Sequence, residues 1–377
     1  MKTKSLKITA VIFLITISLM SFKNKSWNAE KNVNKPIDII EQINLLIEDF
    51  ESKGYEGGIY VSSYGKGRSL FSEDYFSANG NVDEKTIFGI ASVNKTLTSV
   101  AIFKLIEEGK LNLKTTLNSI FNDVPSDKKN ITIEQLLTHT SGIADDFIME
   151  GEVDAEKARK LLFKEKLLFK PSDGFQYSSD TFNLLAMVIE KVSGKSYEEF
   201  VRKNVLKPLK MKSTFFWSEI VNKKNKGFKI ASFENPIPDE WNKRNWGFIG
   251  SGGIFLTLED LSKVANLFDS NSNVLTKTSI EEMVTPIMDF NSRSMGKIGI
   301  AKGCFRGNNQ EGLAEYISSG SEDYGHNAIV RYFPEKNLKI AVLANTLKTK
   351  EGGTVSKEIT KDIYKLFKQG QWIKHSN

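Results

Sequence analysis

Ile87-Phe88-Gly89-Ile90-Ala91-Ser92-Val93-Asn94-Lys95 is the stretch that decides how this chain is read. The apolar run 87–91 has the character of a short buried strand. From Ser92 a helical pattern runs to Leu111, closed by Gly109. Ser92 and Lys95 stand three apart, so on a helix they share one face. A serine hydroxyl is a weak nucleophile until a base removes its proton. A lysine amine becomes that base when burial or neighbouring positive charge lowers its pKa. At a helix start, Ser92 would also have the positive end of the helix dipole to steady an oxyanion. The plain alternative for such a serine is a helix N-cap.

Ser63–Lys66, Ser126–Lys129 and Ser294–Lys297 have the same S-x-x-K spacing. The first falls at a hairpin turn, the second in a charged loop, and the third in a loop with Gly and Arg. Only Ser92 joins an apolar strand-like run to a long amphipathic helix.

Working outward, Ile39, Ile40, Ile43, Leu46, Ile47 and Phe50 recur at helical spacing, and Gly54 stops them. Residues 58–64 and 69–75 read as a strand pair turned at Gly65-Lys66-Gly67. Residues 112–230 are mostly helical patterns and loops. Residues 329–333 and 338–343 read as a second strand pair, and 355–367 as a last amphipathic helix. Strands at both ends with helices between predict an α/β (α+β) unit that holds a mainly helical inserted lobe. The expected boundaries are a domain over 37–368, its lobe at roughly 112–230, and a tail at 369–377.

The N-terminus reads as an address. Lys2, Lys4 and Lys7 precede an uncharged run from Ile8 to Phe22. As a helix that run reaches about 22 Å, short of a hydrocarbon core of about 30 Å. Residues 1–22 therefore read as a signal peptide, with an uncleaved membrane anchor as the alternative, and 23–36 as a linker. Export to the periplasm or the extracellular space is expected.

Composition excludes several functions. With 40% hydrophobic residues and 26% charged, the 377-residue chain is too apolar for a disordered protein. The single Cys304 excludes an internal disulfide, and His139, His326 and His375 share no metal-ligand spacing, so no metal is expected. Of the net charge of +6, from 52 basic and 46 acidic residues, three positives are Lys2, Lys4 and Lys7; the remaining charges are interspersed, without the one-sign block of a nucleic-acid footprint. No G-x-S-x-G elbow and no phosphate-binding glycine loop occurs, so an α/β-hydrolase and nucleotide cofactors have no foothold. No organic cofactor is expected.

Four stretches in order then resemble the serine β-lactamase-like family of class C β-lactamases, D-alanyl carboxypeptidases and related esterases. They are 88–95, Leu136-Leu137-Thr138-His139-Thr140-Ser141-Gly142-Ile143, Phe175-Gln176-Tyr177-Ser178-Ser179 running on to Gly194, and Gly252-Gly253-Ile254-Phe255-Leu256-Thr257. The resemblance extends over about 40–368. It implies an antiparallel sheet flanked by helices and an acyl-enzyme on Ser92, with Lys95 and Tyr177 shuttling the proton. The family's Tyr-x-Asn falls on Tyr177-Ser178-Ser179. Its strand triplet, Lys-Thr-Gly or His-x-Gly, is placed on His326-Asn327-Ala328, with the Ile329 amide completing an oxyanion hole. Ser179, His326, Ala328 and Ile329 are thus the expected substrate-binding residues, and His139 is expected to be structural.

Two departures fall on the substrate side. Ser179 is shorter than the usual Asn, and Ala328 adds a methyl where Gly is usual. Ester or peptide substrates are therefore expected ahead of β-lactams. The alternative reading is a non-catalytic relative that binds cell-wall peptides or a partner protein.

Overall fold

The computed structural model describes residues 39–65, 68–77, 80–237, 241, 243–269, 272–292, 296–308, 314–346, 348 and 354–369. The expected signal peptide at 1–22 and linker at 23–36 lie outside the described residues, as does the tail beyond 369.

Among the described residues twelve strands follow in chain order. They are β1 (Gly57–Gly65), β2 (Arg68–Phe76), β3 (Thr86–Gly89), β4 (Thr214–Phe216), β5 (Lys229–Ile230) and β6 (Ile254–Leu256), then β7 (Met288–Ser292), β8 (Gly296–Ile300), β9 (Phe305–Asn308), β10 (Ala314–Ser321), β11 (Asn327–Phe333) and β12 (Leu338–Ala344). Eight form one antiparallel sheet in the order β2-β1-β12-β11-β10-β9-β8-β7. The other four form a small sheet, β4-β6-β3-β5, in which β3 and β5 run parallel.

The central strand β12 is buried along its whole length. Its alternate residues serve two cores, as the two-residue period of a strand requires. Ile340, Val342 and Ala344 face Ile43, Ile47, Ile359 and Ile363 of the helices Ile39–Ser52 and Val355–Gln369. Ala341 and Leu343 face the opposite core, which runs on through Leu97 and Val100 into the helical lobe. The terminal helices thus cover one face of the large sheet and the lobe covers the other. Gly54 ends the first helix at φ +94°, and the expected hairpin 58–64/69–75 is β1–β2.

Two elements differ from the expected pattern. Where only a loop at Ser294–Lys297 was expected, the described residues between 288 and 321 form the four strands β7–β10 that extend the sheet past β11. The stretch taken as helical lobe also contributes the short strands β4 and β5.

Candidate active site

Ser92 sits in a single 3₁₀ turn, Ala91–Val93, that joins β3 to the helix Asn94–Glu107. The preceding Ala91 has φ +48°, a left-handed conformation that a non-glycine residue rarely adopts. It costs about 1–2 kcal/mol, which the surrounding packing must offset. Ser92 caps neither helical segment, since neither N-cap carries a side-chain hydrogen bond. Its hydroxyl instead receives a hydrogen bond from Lys95 Nζ at 2.9 Å.

Lys95 is buried at 3% exposure and has three polar neighbours. Besides Ser92, they are Ser179 Oγ at 3.2 Å and the Ser251 carbonyl at 3.4 Å. The carbonyl can only accept, so it fixes one N–H. The two hydroxyls can donate or accept, which leaves the nitrogen able to point a lone pair at Ser92 when neutral. The Tyr177 ring lies over the same nitrogen at 4.9 Å, and Phe182 at 5.9 Å.

Ser179 begins the helix Ser179–Ser193, whose N-cap Ser178 accepts a hydrogen bond from the Thr181 amide. This capping sets Tyr177 just outside the helix. Beneath Tyr177 lies His139, stacked at 4.5 Å between ring centroids and 28° between planes. His139 Nδ1 accepts the Ser178 N–H at 3.0 Å. Burial, helped by the nearby Lys95 charge, pushes the imidazole down to about 3, so it is neutral. Among the described residues no hydrogen bond joins the Tyr177 hydroxyl to Ser92 or Lys95. What links Tyr177 to Lys95 is its ring face.

The strand that borders Ser92 is β10, not β11. A Cβ placed on Gly320 would lie 2.4 Å from the Ser92 nitrogen, 2.5 Å from the Ile90 oxygen and 2.8 Å from the Ala91 Cβ. Ser318, Ser319 and Gly320 therefore occupy the place next to the nucleophile that the sequence reading gave to His326-Asn327-Ala328. Ser318 Oγ is engaged with Thr96 Oγ1 at 2.7 Å, which ties β10 to the nucleophile helix.

His326 has 0% exposure and does not reach this space. Its Nδ1 accepts the Gly89 N–H at 3.0 Å, so Nε2 carries the proton, which it donates towards the Ala231 and Ser232 carbonyls at 3.2 and 3.1 Å. Phe233 stacks on it at 4.7 Å, with Phe88, Phe255 and Tyr324 around it. Burial lowers it to about 4. Ala328 and Ile329 are likewise buried, in the two cores either side of β11. The structure brings Ser92, Lys95, Tyr177 and Ser179 together and leaves His326, Ala328 and Ile329 in the interior. The physical reason is a shift of one strand: β11 is apolar and easily read, whereas β10 is rich in Ser and Gly and resembles a turn.

A cleft of about 350 Å³ opens at Ser92. Lys95, Tyr177, Ser179 and Ser251 line it, and β10 contributes Ser319, Gly320 and Ser321. Three carboxylates also border it, Asp145, Glu150 and Glu322, none of which the sequence reading singled out.

A family model described as Beta-lactamase matches residues 44–363. The chain belongs to the Beta-lactamase family. Its fold is accordingly the one shared by β-lactamases and penicillin-binding proteins. The chain is 29% identical over 341 residues to Protein flp of Staphylococcus aureus (strain MW2), covering 82% of this chain and 63% of that protein. It thus spans less than two thirds of that relative. It is 24% identical to the putative penicillin-binding protein PbpX of Bacillus subtilis (strain 168), covering 70% of this chain and 66% of that one. Among solved structures, the octameric penicillin-binding protein homologue from Pyrococcus abyssi matches with a TM-score of 0.69 and 24% identity, over 87% of this chain and 78% of that one. The D-amino acid amidase from Ochrobactrum anthropi SV3 also matches at 0.69, with 18% identity over 88% and 99%. These two likenesses concern the fold.

Proposed function

We propose that this Beta-lactamase family member is a serine hydrolase that cleaves an amide or ester carbonyl through an acyl-enzyme on Ser92. The observation that carries the reading is the 2.9 Å contact between Lys95 Nζ and Ser92 Oγ at the floor of an open cleft. Lys95, acting as the base, takes the Ser92 proton as Oγ bonds to the substrate carbonyl carbon. The carbonyl π pair moves to oxygen, facing the Ser92 amide and the end of β10. The tetrahedral adduct then expels the amine or alcohol, which regains a proton delivered through the Tyr177 hydroxyl from Lys95. Water attacks the acyl carbonyl by the same steps in reverse, releasing the acid and restoring Ser92.

Ser179 supplies a hydroxyl to Lys95 in place of a longer amide. The basic, then apolar N-terminal segment adds the proposal that the reaction takes place outside the cytoplasm, on a small-molecule or peptide substrate. Stopped-flow hydrolysis of a p-nitrophenyl ester tests the chemistry. A burst of one nitrophenol per chain, absent in Ser92→Ala, is expected. Steady turnover that survives Ser92→Ala contradicts it.

A further inference from the structure

The cleft at Ser92 carries an electrostatic signature unlike that of a site built for anionic substrates. The family's strand triplet bears a Lys or His cation. Here the strand beside the nucleophile offers Ser318, Ser319 and Gly320, and the Ser318 hydroxyl is already committed to Thr96. Lys95 and Lys357 are the cations on the cleft wall, against the carboxylates of Asp145, Glu150 and Glu322.

Two of those carboxylates are held by neutral donors. Asp145 Oδ1 accepts the Ser179 N–H, and Glu150 Oε1 accepts the Trp241 indole N–H. Among the described residues none of the three has a salt-bridge partner. Glu322 stands on the turn between β10 and β11, and its carboxylate lies against Gly252. A Cβ on Gly252 would lie 2.7 Å from Glu322 Oε1, and the same point is 3.7 Å from the Ala91 Cα. The carboxylate therefore sits beside the nucleophile turn itself. Two aromatic side chains complete the mouth, Trp241 and the half-exposed Phe147, whose φ of +51° is unusual for so bulky a residue. Carboxylates interleaved with aromatic faces are the surroundings that favour an ammonium group.

We infer that the Ser92 cleft selects substrates bearing an ammonium group close to the scissile carbonyl, with Glu322 as its main counter-charge and Glu150 and Asp145 contributing. The inference rests on the hydrolase reading for where the carbonyl lies. It makes carboxylate-terminated substrates poor ones. Burial raises Glu322 to about 7, against the attraction of Lys95 and with repulsion from Asp323 and Glu150. A bound ammonium would favour its ionised form.

Calorimetric titration of the full-length protein at pH 8 with phenethylamine and with 3-phenylpropionate provides the test. These probes share a ring and differ in charge. The amine is expected to bind at least about tenfold more tightly. Glu322→Gln should bring that ratio towards one, Glu150→Gln should lower it partway, and Asp289→Asn, on β7 outside the cleft, should keep it. Lowering the pH to 6 should shrink the ratio in the parent protein and not in Glu322→Gln. Equal or tighter binding of the carboxylate, no detectable binding of either probe, or a ratio indifferent to both Gln variants would overturn the inference. Failure of Ser92 to react with a fluorophosphonate, with the amine preference intact, counts against the hydrolase reading alone.

Discussion

Gly320 of β10 presses against the backbone of Ser92 so closely that a single methyl there would stand 2.4 Å from the Ser92 nitrogen. The nearest obstacles are backbone atoms, which cannot swing aside. The strand and the nucleophile turn are therefore in direct backbone contact, and glycine is what permits it.

Gly320→Ala should accordingly separate β10 from the 3₁₀ turn. The expected result is at least about a hundredfold slower acylation of Ser92, since displacement by an ångström has effects of that order. A stability loss of about 1–3 kcal/mol should accompany it, the usual range for overpacking. Ester burst kinetics and thermal melts check both.

Tyr177→Phe keeps the ring that covers Lys95 and stacks on His139, and removes only the oxygen. Fluoride leaves a fluorophosphonate without needing a proton, whereas an amine leaving group must receive one. The variant should therefore be labelled at Ser92 within about tenfold of the parent rate while amide turnover falls by about a hundredfold, the size of a general-acid contribution. Equal losses in the two assays would place the hydroxyl in serine activation instead.

His326→Phe should destabilise the protein without disabling Ser92. It leaves the Gly89 N–H without its acceptor, at a cost of about 1–3 kcal/mol. It also changes the acid response. The folded state holds His326 at about 4, below its ordinary 6.5, so it resists protonation. The penalty is absent above about pH 6.5, grows as pH falls towards 4, and then levels off. Denaturant titrations at pH 7.5 and 4.5 should show the variant losing less stability on acidification than the parent.

Asp180 responds in the opposite sense. Burial, with repulsion from Asp145, raises it to about 7, and one of its oxygens has no hydrogen-bond partner. The unfolded chain ionises it more readily, so its cost is absent below about pH 4, grows up to 7 and stays constant above. Asp180→Asn should therefore be more stable than the parent at pH 8, by on the order of 1 kcal/mol, and show no gain at pH 3.5. Equal effects at both pH values would contradict this account of Asp180.

Much of the fold was legible from sequence because its periodic elements are apolar. Ile39–Phe50, the β1–β2 hairpin, β11–β12 and the last helix announce themselves by spacing, and Ser92-Val93-Asn94-Lys95 by its place between a strand and a helix. The meander β7–β10 was not legible. Its strands carry Gly, Ser, Asn and charged residues and are shaped by their neighbours in the sheet rather than by intrinsic preference. That gap misdirected the reading of the site. His326 follows a glycine on a clear strand and looks like a ligand-facing histidine. In the folded chain it is a neutral core residue that supports Gly89, while the glycine next to Ser92 is Gly320. Glu322, Glu150 and Asp145 were invisible for a different reason, since nothing in a single sequence marks which acids meet at one cleft. His139, expected to be structural, is buried and stacks under Tyr177.

Mass spectrometry of the full-length protein after exposure to a fluorophosphonate addresses the central claim most directly. A single adduct localised to Ser92, lost in Lys95→Ala and retained in His326→Phe, is the predicted result. A folded protein that forms no adduct at Ser92, or forms it equally well without Lys95, would contradict the account.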